Sequence, residues 1–291
     1  MRIVHGDQVA ETIRIHQHRQ GMFRHRTLAA GEPGTVGNFI LEMVRTTDDF
    51  FSPRHMHNFD QFRYQLEGEF DFDRNGKMTP GTIGYFPEGT PYGPQSSSVS
   101  ALTLVLQFGG ASGSGYISPE QIEAGTAELK KQGTFEKGVF RRSEGGEGRR
   151  NVDGYQAVWE HVNKRPMKYP AQRYHDPIMM SPEHFDWVPV EGARGVCEKL
   201  MGVFTERGCD ARFLRLAPEA KLPACGRRLY FVLTGEGRVG GEVSGRPYRR
   251  YTTTFCERGD ESTLVAETPT EILMFGLPKL GVMAHYAIAA E

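Results

Sequence analysis

The chain has 291 residues, 38% hydrophobic and 24% charged, enough to bury a core and unlike the composition of a disordered chain. Lysine and arginine number 35 against 36 acidic residues, a net charge of −1, which argues against nucleic acid as the main partner. No stretch approaches the roughly 20 apolar residues of a membrane span, and the opening MRIVHGDQVAETIRIHQHRQ lacks the apolar run of a secretory signal, so a cytoplasmic location is expected.

From about residue 36 the text reads as short strands: VGNFILEMV, HNFDQFRYQLEGEFDF, MTPGTIGYF and SALTLVLQF, separated by Gly, Pro, Asn or Asp. Arg74-Asn75-Gly76 carries the strongest short hairpin signal, Asn-Gly. The texture then changes. Ser118-Pro119-Glu120-Gln121 offers an N-cap serine, a proline at the first helical position and a glutamine to close a capping box, predicting a helix that stops at Gly133. Residues 142–154 are glycine-rich and charged, a loop by composition, and a second helix is predicted over 155–163. Trp159 and Trp187 read as packing anchors of this connector.

A second run of strands follows: KLMGVF, ARFLRLAP, RRLYFVLTGEGRVGG, RRYTTTF, STLVAE and EILMFGL. Leu66-Glu67-Gly68-Glu69 corresponds to Leu233-Thr234-Gly235-Glu236, so the two blocks read as copies of one unit. The predicted organisation is a β-barrel over 1–110, a partly helical connector over 111–183 and a second barrel over 184–291. The cysteines, Cys197, Cys209, Cys225 and Cys256, form no CxxC pair and lie in or beside apolar strands. They read as unreactive small hydrophobes in a reducing compartment, not as a zinc site or a disulfide framework.

The chemistry concentrates in Pro53-Arg54-His55-Met56-His57-Asn58-Phe59-Asp60-Gln61. Two histidines at i and i+2 of a strand point the same way, so both imidazoles can reach one metal, or can hydrogen-bond in a polar pocket without one. The other pair at this spacing, His16 and His18, lies in a charged segment and reads as surface. If His57 and Gln61 face inward, parity turns Arg63 and Gln65 inward as well. An inward arginine is either a fork for a substrate carboxylate or one partner of a salt bridge, with Asp60, Glu42 and Asp71 as candidates. Gln107, in the last strand of the first block, is a further candidate for the pocket lining.

These residues resemble the cupin superfamily, whose motifs are G-x5-HxH-x3,4-E-x6-G and G-x5-PxG-x2-H-x3-N. His55-x-His57-x3-Gln61-x6-Gly68 matches the first, with Gln61 in place of the acid and no glycine at the expected distance before His55. Gly81-x5-Pro87-x-Gly89-x2-Tyr92-x3-Ser96 matches the second, with Tyr92 in place of the third histidine and Ser96 in place of the asparagine. The resemblance implies an all-β bicupin of two jelly-roll antiparallel barrels. It also implies a divalent transition metal on His55, His57, Gln61 and Tyr92: iron first, with manganese, nickel or zinc as alternatives.

The second copy places Leu222, Ala224, Arg228 and Ser262 at these positions and offers no ligand set. The function implied is a metal-dependent, dioxygenase-like enzyme acting on a small anionic or aromatic molecule. In it Tyr92 and Arg63 are catalytic, Arg63, Gln65 and Gln107 contact substrate, and the chain forms a homodimer. The alternatives are a metal-dependent lyase or isomerase using Tyr92 as acid and base, or a bicupin that binds a small molecule without turnover.

Overall fold

The computed structural model describes residues 1–14, 22–112, 115–136, 138–144, 148–240 and 245–279. His16 and His18, and residues 145–147 of the glycine-rich loop, lie outside them. Contacts divide the chain into two units, one of residues 11–25 and 30–179, the other of 1–10, 26–29 and 180–291.

In the first barrel a seven-stranded sheet runs in the order Ile178–Met180, Ile83–Phe86, Asp60–Glu67, Ala101–Phe108, Phe39–Thr46, Phe23–Ala30, Thr12–Arg14. A four-stranded sheet runs Phe51–Ser52, Gln95–Ser96, Phe70–Asp71, Lys77–Met78. Residues of both sheets, among them Phe23, Phe70, Met78, Phe86 and Ala101, share one apolar cluster with Tyr92, which is what closes the two layers on each other.

The second barrel repeats this order. Its large sheet runs Arg2–His5, Thr252–Cys256, Arg228–Thr234, Thr270–Gly276, Asp210–Leu216, Val196–Val203, Val188–Pro189. Its small sheet runs Lys221–Cys225, Glu261–Ala266, Gly237–Gly240, Arg246–Tyr248. The glycines that anchored the sequence repeat take the same role in both. Gly68 (φ 66°) would bring a Cβ to 2.4 Å from the Ser100 carbonyl oxygen, and Gly235 (φ 89°) to 2.4 Å from Thr270 Oγ1. Each has left-handed backbone and lies against the start of its barrel's last strand, where a side chain does not fit.

Three expectations are corrected. The first unit does not begin at residue 1, because Arg2–His5 pairs antiparallel with Thr252–Phe255 in the second barrel's sheet. The connector is not separate: residues 111–179 belong to the first unit, where Trp159 is fully buried in a cluster with Ile117, Leu129, Phe140 and Val158. The hairpin expected at Asn75-Gly76 is present, Phe70–Asp71 pairing antiparallel with Lys77–Met78, and it turns through a short 3-10 segment, Asp73–Asn75, closed by the Phe72 N–H on the Gly76 carbonyl. Cys225 is exposed, whereas Cys209 and Cys256 are buried.

The helices follow their signals. Pro119–Leu129 carries the full capping box: Ser118 Oγ accepts from the Gln121 N–H, and Gln121 Oε1 accepts from the Ser118 N–H. Gly154–Asn163 is capped by Asp153. Among the described residues no helix is long and apolar enough to cross a membrane.

Candidate active site

The Ala101–Phe108 strand fixes the register of the site. Leu104, Leu106 and Phe108 alternate on one face and are fully buried, leaving Thr103, Val105 and Gln107 on the other. Directly opposite these three on the neighbouring strand stand Gln65, Arg63 and Gln61. Cross-strand partners share a face, so Gln107 lies beside Gln61. Gln61 also pairs with Phe86, a member of the inter-sheet cluster, so this face looks into the barrel.

The two histidines are not on a regular strand. The strand begins at Asp60, and residues 53–59 are irregular except for one isolated bridge, His55 to Tyr92. In that bridge the His55 N–H donates to the Tyr92 carbonyl at 3.1 Å and the Tyr92 N–H to the His55 carbonyl at 2.9 Å. It draws the two motifs together, with the imidazoles of His55 and His57 edge to face at 4.9 Å. His55 Nδ1 lies 2.6 Å from the Pro53 carbonyl oxygen, which can only accept, so Nδ1 carries the hydrogen and Nε2 the lone pair.

Arg63 is the centre of the site. Its Nε and Nη2 donate to Gln61 Oε1 (3.1 and 3.0 Å), Nη2 also to the Tyr92 hydroxyl (2.7 Å), and Nη1 to Gln95 Oε1 (2.9 Å). The guanidinium carbon lies over the rings of Phe86 (4.5 Å), Tyr92 (5.3 Å) and Phe72 (5.8 Å). Arg63 is 7% exposed, and its acceptors are all neutral. None of the acids considered as partners takes it: Glu42 holds Arg14 and His25, Asp71 faces Lys77, and Asp60 accepts the Glu88 N–H. A guanidinium buried without a carboxylate is costly, and aromatic faces recover about 2 kcal/mol when desolvated.

Around it, Tyr92 is the pivot. Arginine can only donate, so the phenol oxygen accepts from Arg63; the same hydroxyl lies 2.9 Å from His57 Nε2 and donates or accepts there according to the tautomer of the imidazole. Arg63, Tyr92 and His57 thus form one chain of hydrogen bonds. Gln61 is fully buried, and its Nε2 has no hydrogen-bond partner among the described residues. The amide cannot be turned round, because its nitrogen would then face two arginine N–H groups.

Gln65, although inward, is committed elsewhere: it accepts from Thr103 Oγ1 and donates to the Glu67 carbonyl. Gln95 was missed in the sequence, since it occupies a two-residue strand where no alternation can be read.

The residues do not complete a metal centre. Among the described residues no group of three His, Cys, Asp or Glu converges to hold an ion. The two oxygen donors that the resemblance assigns, Gln61 Oε1 and the Tyr92 hydroxyl, both face Arg63.

No protein-family profile matches the chain, and no curated protein matches its sequence. Solved structures do match its fold. A protein from Nostoc punctiforme provisionally described as a dioxygenase superposes with a TM-score of 0.64 at 11% identity, over 96% of this chain and 83% of the other. HEPD from Streptomyces albus, solved with 2-hydroxyethylphosphonate and Fe(II) bound, gives 0.58 at 15% identity, over 100% and 79%. Oxalate decarboxylase from Bacillus subtilis gives 0.53 at 14% identity, over 97% and 82%. The fold is all-β and of cupin type. With two such barrels in one chain, it is a bicupin fold.

Proposed function

We propose that the first barrel is a catalytic pocket for a small organic anion, held by Arg63 and acted on by proton transfer through Tyr92 and His57. The observation that carries this reading is the buried Arg63 guanidinium with only neutral acceptors. Support also comes from two structures of similar fold, one solved with a phosphonate and one named for oxalate, both small anions.

The metal-dependent, dioxygenase-like reading has support of its own. Fe(II) is bound in the HEPD structure, and His55 has the tautomer that presents a lone pair at Nε2. In this chain the donor set nevertheless stops at the two imidazoles. A lyase or isomerase reading without the metal is therefore preferred, because it draws only on groups already in place. Arg63 would neutralise charge developing on a substrate oxygen, and Tyr92 would exchange a proton with the substrate, passing its own to His57 when it takes one and regaining one from the protonated imidazole when it gives one.

Calorimetric titration with oxalate, 2-hydroxyethylphosphonate and simple carboxylates tests the reading. At least one should bind saturably to the unmodified protein, and Arg63→Met, which keeps the stem, should weaken it roughly 10- to 150-fold. Folded protein that binds none of these anions, or binds them equally well after Arg63→Met, overturns it.

A further inference from the structure

We infer that the Arg63 guanidinium stands where a metal ion would, and that the first barrel binds its anion without one. The inference rests on the anion reading above and adds what supplies the positive charge.

Three geometric facts lead there. Of the four residues that the two motifs bring together, Gln61 and Tyr92 direct their oxygens onto Arg63, and His57 is joined to the same Tyr92 oxygen. A cation placed among these donors would have to displace the guanidinium or share the site with a like charge, and among the described residues no group of three His, Cys, Asp or Glu converges to hold it. The second barrel also sets an arginine beside a phenol, at different positions. Arg228 pairs with Cys256 as Gln61 pairs with Phe86, so this arginine fills Gln61's register, and Tyr230, which bonds to it, fills that of Arg63.

The same bonds define the ligand. Arg63 has five N–H groups and directs four bonds to Gln61, Tyr92 and Gln95, leaving one hydrogen on Nη1. The unpartnered Gln61 Nε2 adds donors from the other side. Donors without acceptors suit an oxyanion with two oxygens, a carboxylate or an enediolate, and not a neutral alcohol or an amine.

The test uses the purified full chain. Elemental analysis before and after incubation with Fe(II), Mn(II) or Co(II) should find less than about a tenth of an equivalent of metal. Anion binding should be unchanged by chelator. Arg63→Met frees the Gln61 and Tyr92 oxygens and should tighten Co(II) binding roughly 10- to 100-fold, with visible Co(II) absorption. Adding His57→Ala to that variant should remove the gain.

Stoichiometric metal in the unmodified chain, or loss of anion binding on chelation, overturns the inference. So does a folded Arg63→Met variant that gains no Co(II) affinity. Should that variant fail to fold, the chelator experiment on the unmodified chain decides alone. The two readings fail separately: absence of anion binding under every condition defeats the anion pocket, whereas anion binding that depends on a metal defeats only the present inference.

Discussion

The backbone N–H of Glu88 donates to Asp60 Oδ1 at 2.8 Å, tying together two residues whose carboxyl groups are both buried. Asp60 precedes Gln61 and by parity faces away from the pocket. Burial, reinforced by the charge of Glu88, pushes the Asp60 carboxyl up to about 7. Burial also raises Glu88, moderated by Ser112 and Arg173, which bond to it. A carboxyl raised in the folded state favours folding fully below its ordinary range, and that contribution is lost as pH climbs through the raised value. Thermal stability should therefore fall between about pH 4 and pH 7. Asp60→Asn keeps the acceptor for Glu88 and removes the charge, so it should flatten that fall and raise Tm at the alkaline end. The gain should be roughly 2–4 °C per kcal/mol recovered. A steeper fall in the variant would show that Asp60 is not the group titrating.

Tyr92→Phe keeps the ring and removes only the oxygen between Arg63 and His57. One buried arginine donor loses its acceptor, a cost of about 1–3 kcal/mol, measurable by urea denaturation. With a turned-over anion in hand, kcat should fall far more than affinity. An unchanged kcat would leave a binding pocket without catalysis by this tyrosine. The imidazole nitrogen shifts of His57 should also move in the variant, since Nε2 loses its contact with the phenol oxygen.

The double substitution of His55 and His57 by alanine removes two half-buried rings and little apolar packing, so the fold should persist. Because the anion is anchored on Arg63, its affinity should stay within roughly threefold of the parent, in contrast to Arg63→Met. Turnover should be lost with the proton acceptor. A collapse of anion affinity in the double variant would shift the anchor from Arg63 to the imidazoles.

At the connector, Ser118→Ala removes the Oγ half of the capping box, leaves the backbone N–H of residue 118 on Gln121 Oε1, and should cost about 1 kcal/mol in a denaturant titration. Ser118→Asp should recover most of it.

The parts of this architecture that were legible are those written in local pattern. Alternation in ALTLVLQF, the capping signature at Ser118 and the matched glycines Gly68 and Gly235 each reflect a constraint within a few residues of itself. Parity from Gln61 turned Arg63 inward, and register put Gln107 beside Gln61. What was not legible depends on distant partners. Nothing in RIVH announces that it pairs with Thr252–Phe255. Nothing in Gln61 says which end of its amide faces the pocket, because Arg63 decides that. Gln95 is placed by a strand too short to show a period.

The Arg2–His5 strand bears on how this chain can be divided. It covers one side of Thr252–Cys256 and makes the outermost rung of a sheet whose other strands lie after residue 187. A fragment begun at residue 180 would leave Thr252–Cys256 as a bare edge, with unpaired amides and carbonyls ready to recruit a strand from another molecule. Such a fragment should be prone to aggregation, and supplying the missing tetrapeptide as part of a longer N-terminal peptide should restore its solubility by strand addition. The two copies that look separable in the linear text are, for the second, tied together through the opposite end of the chain.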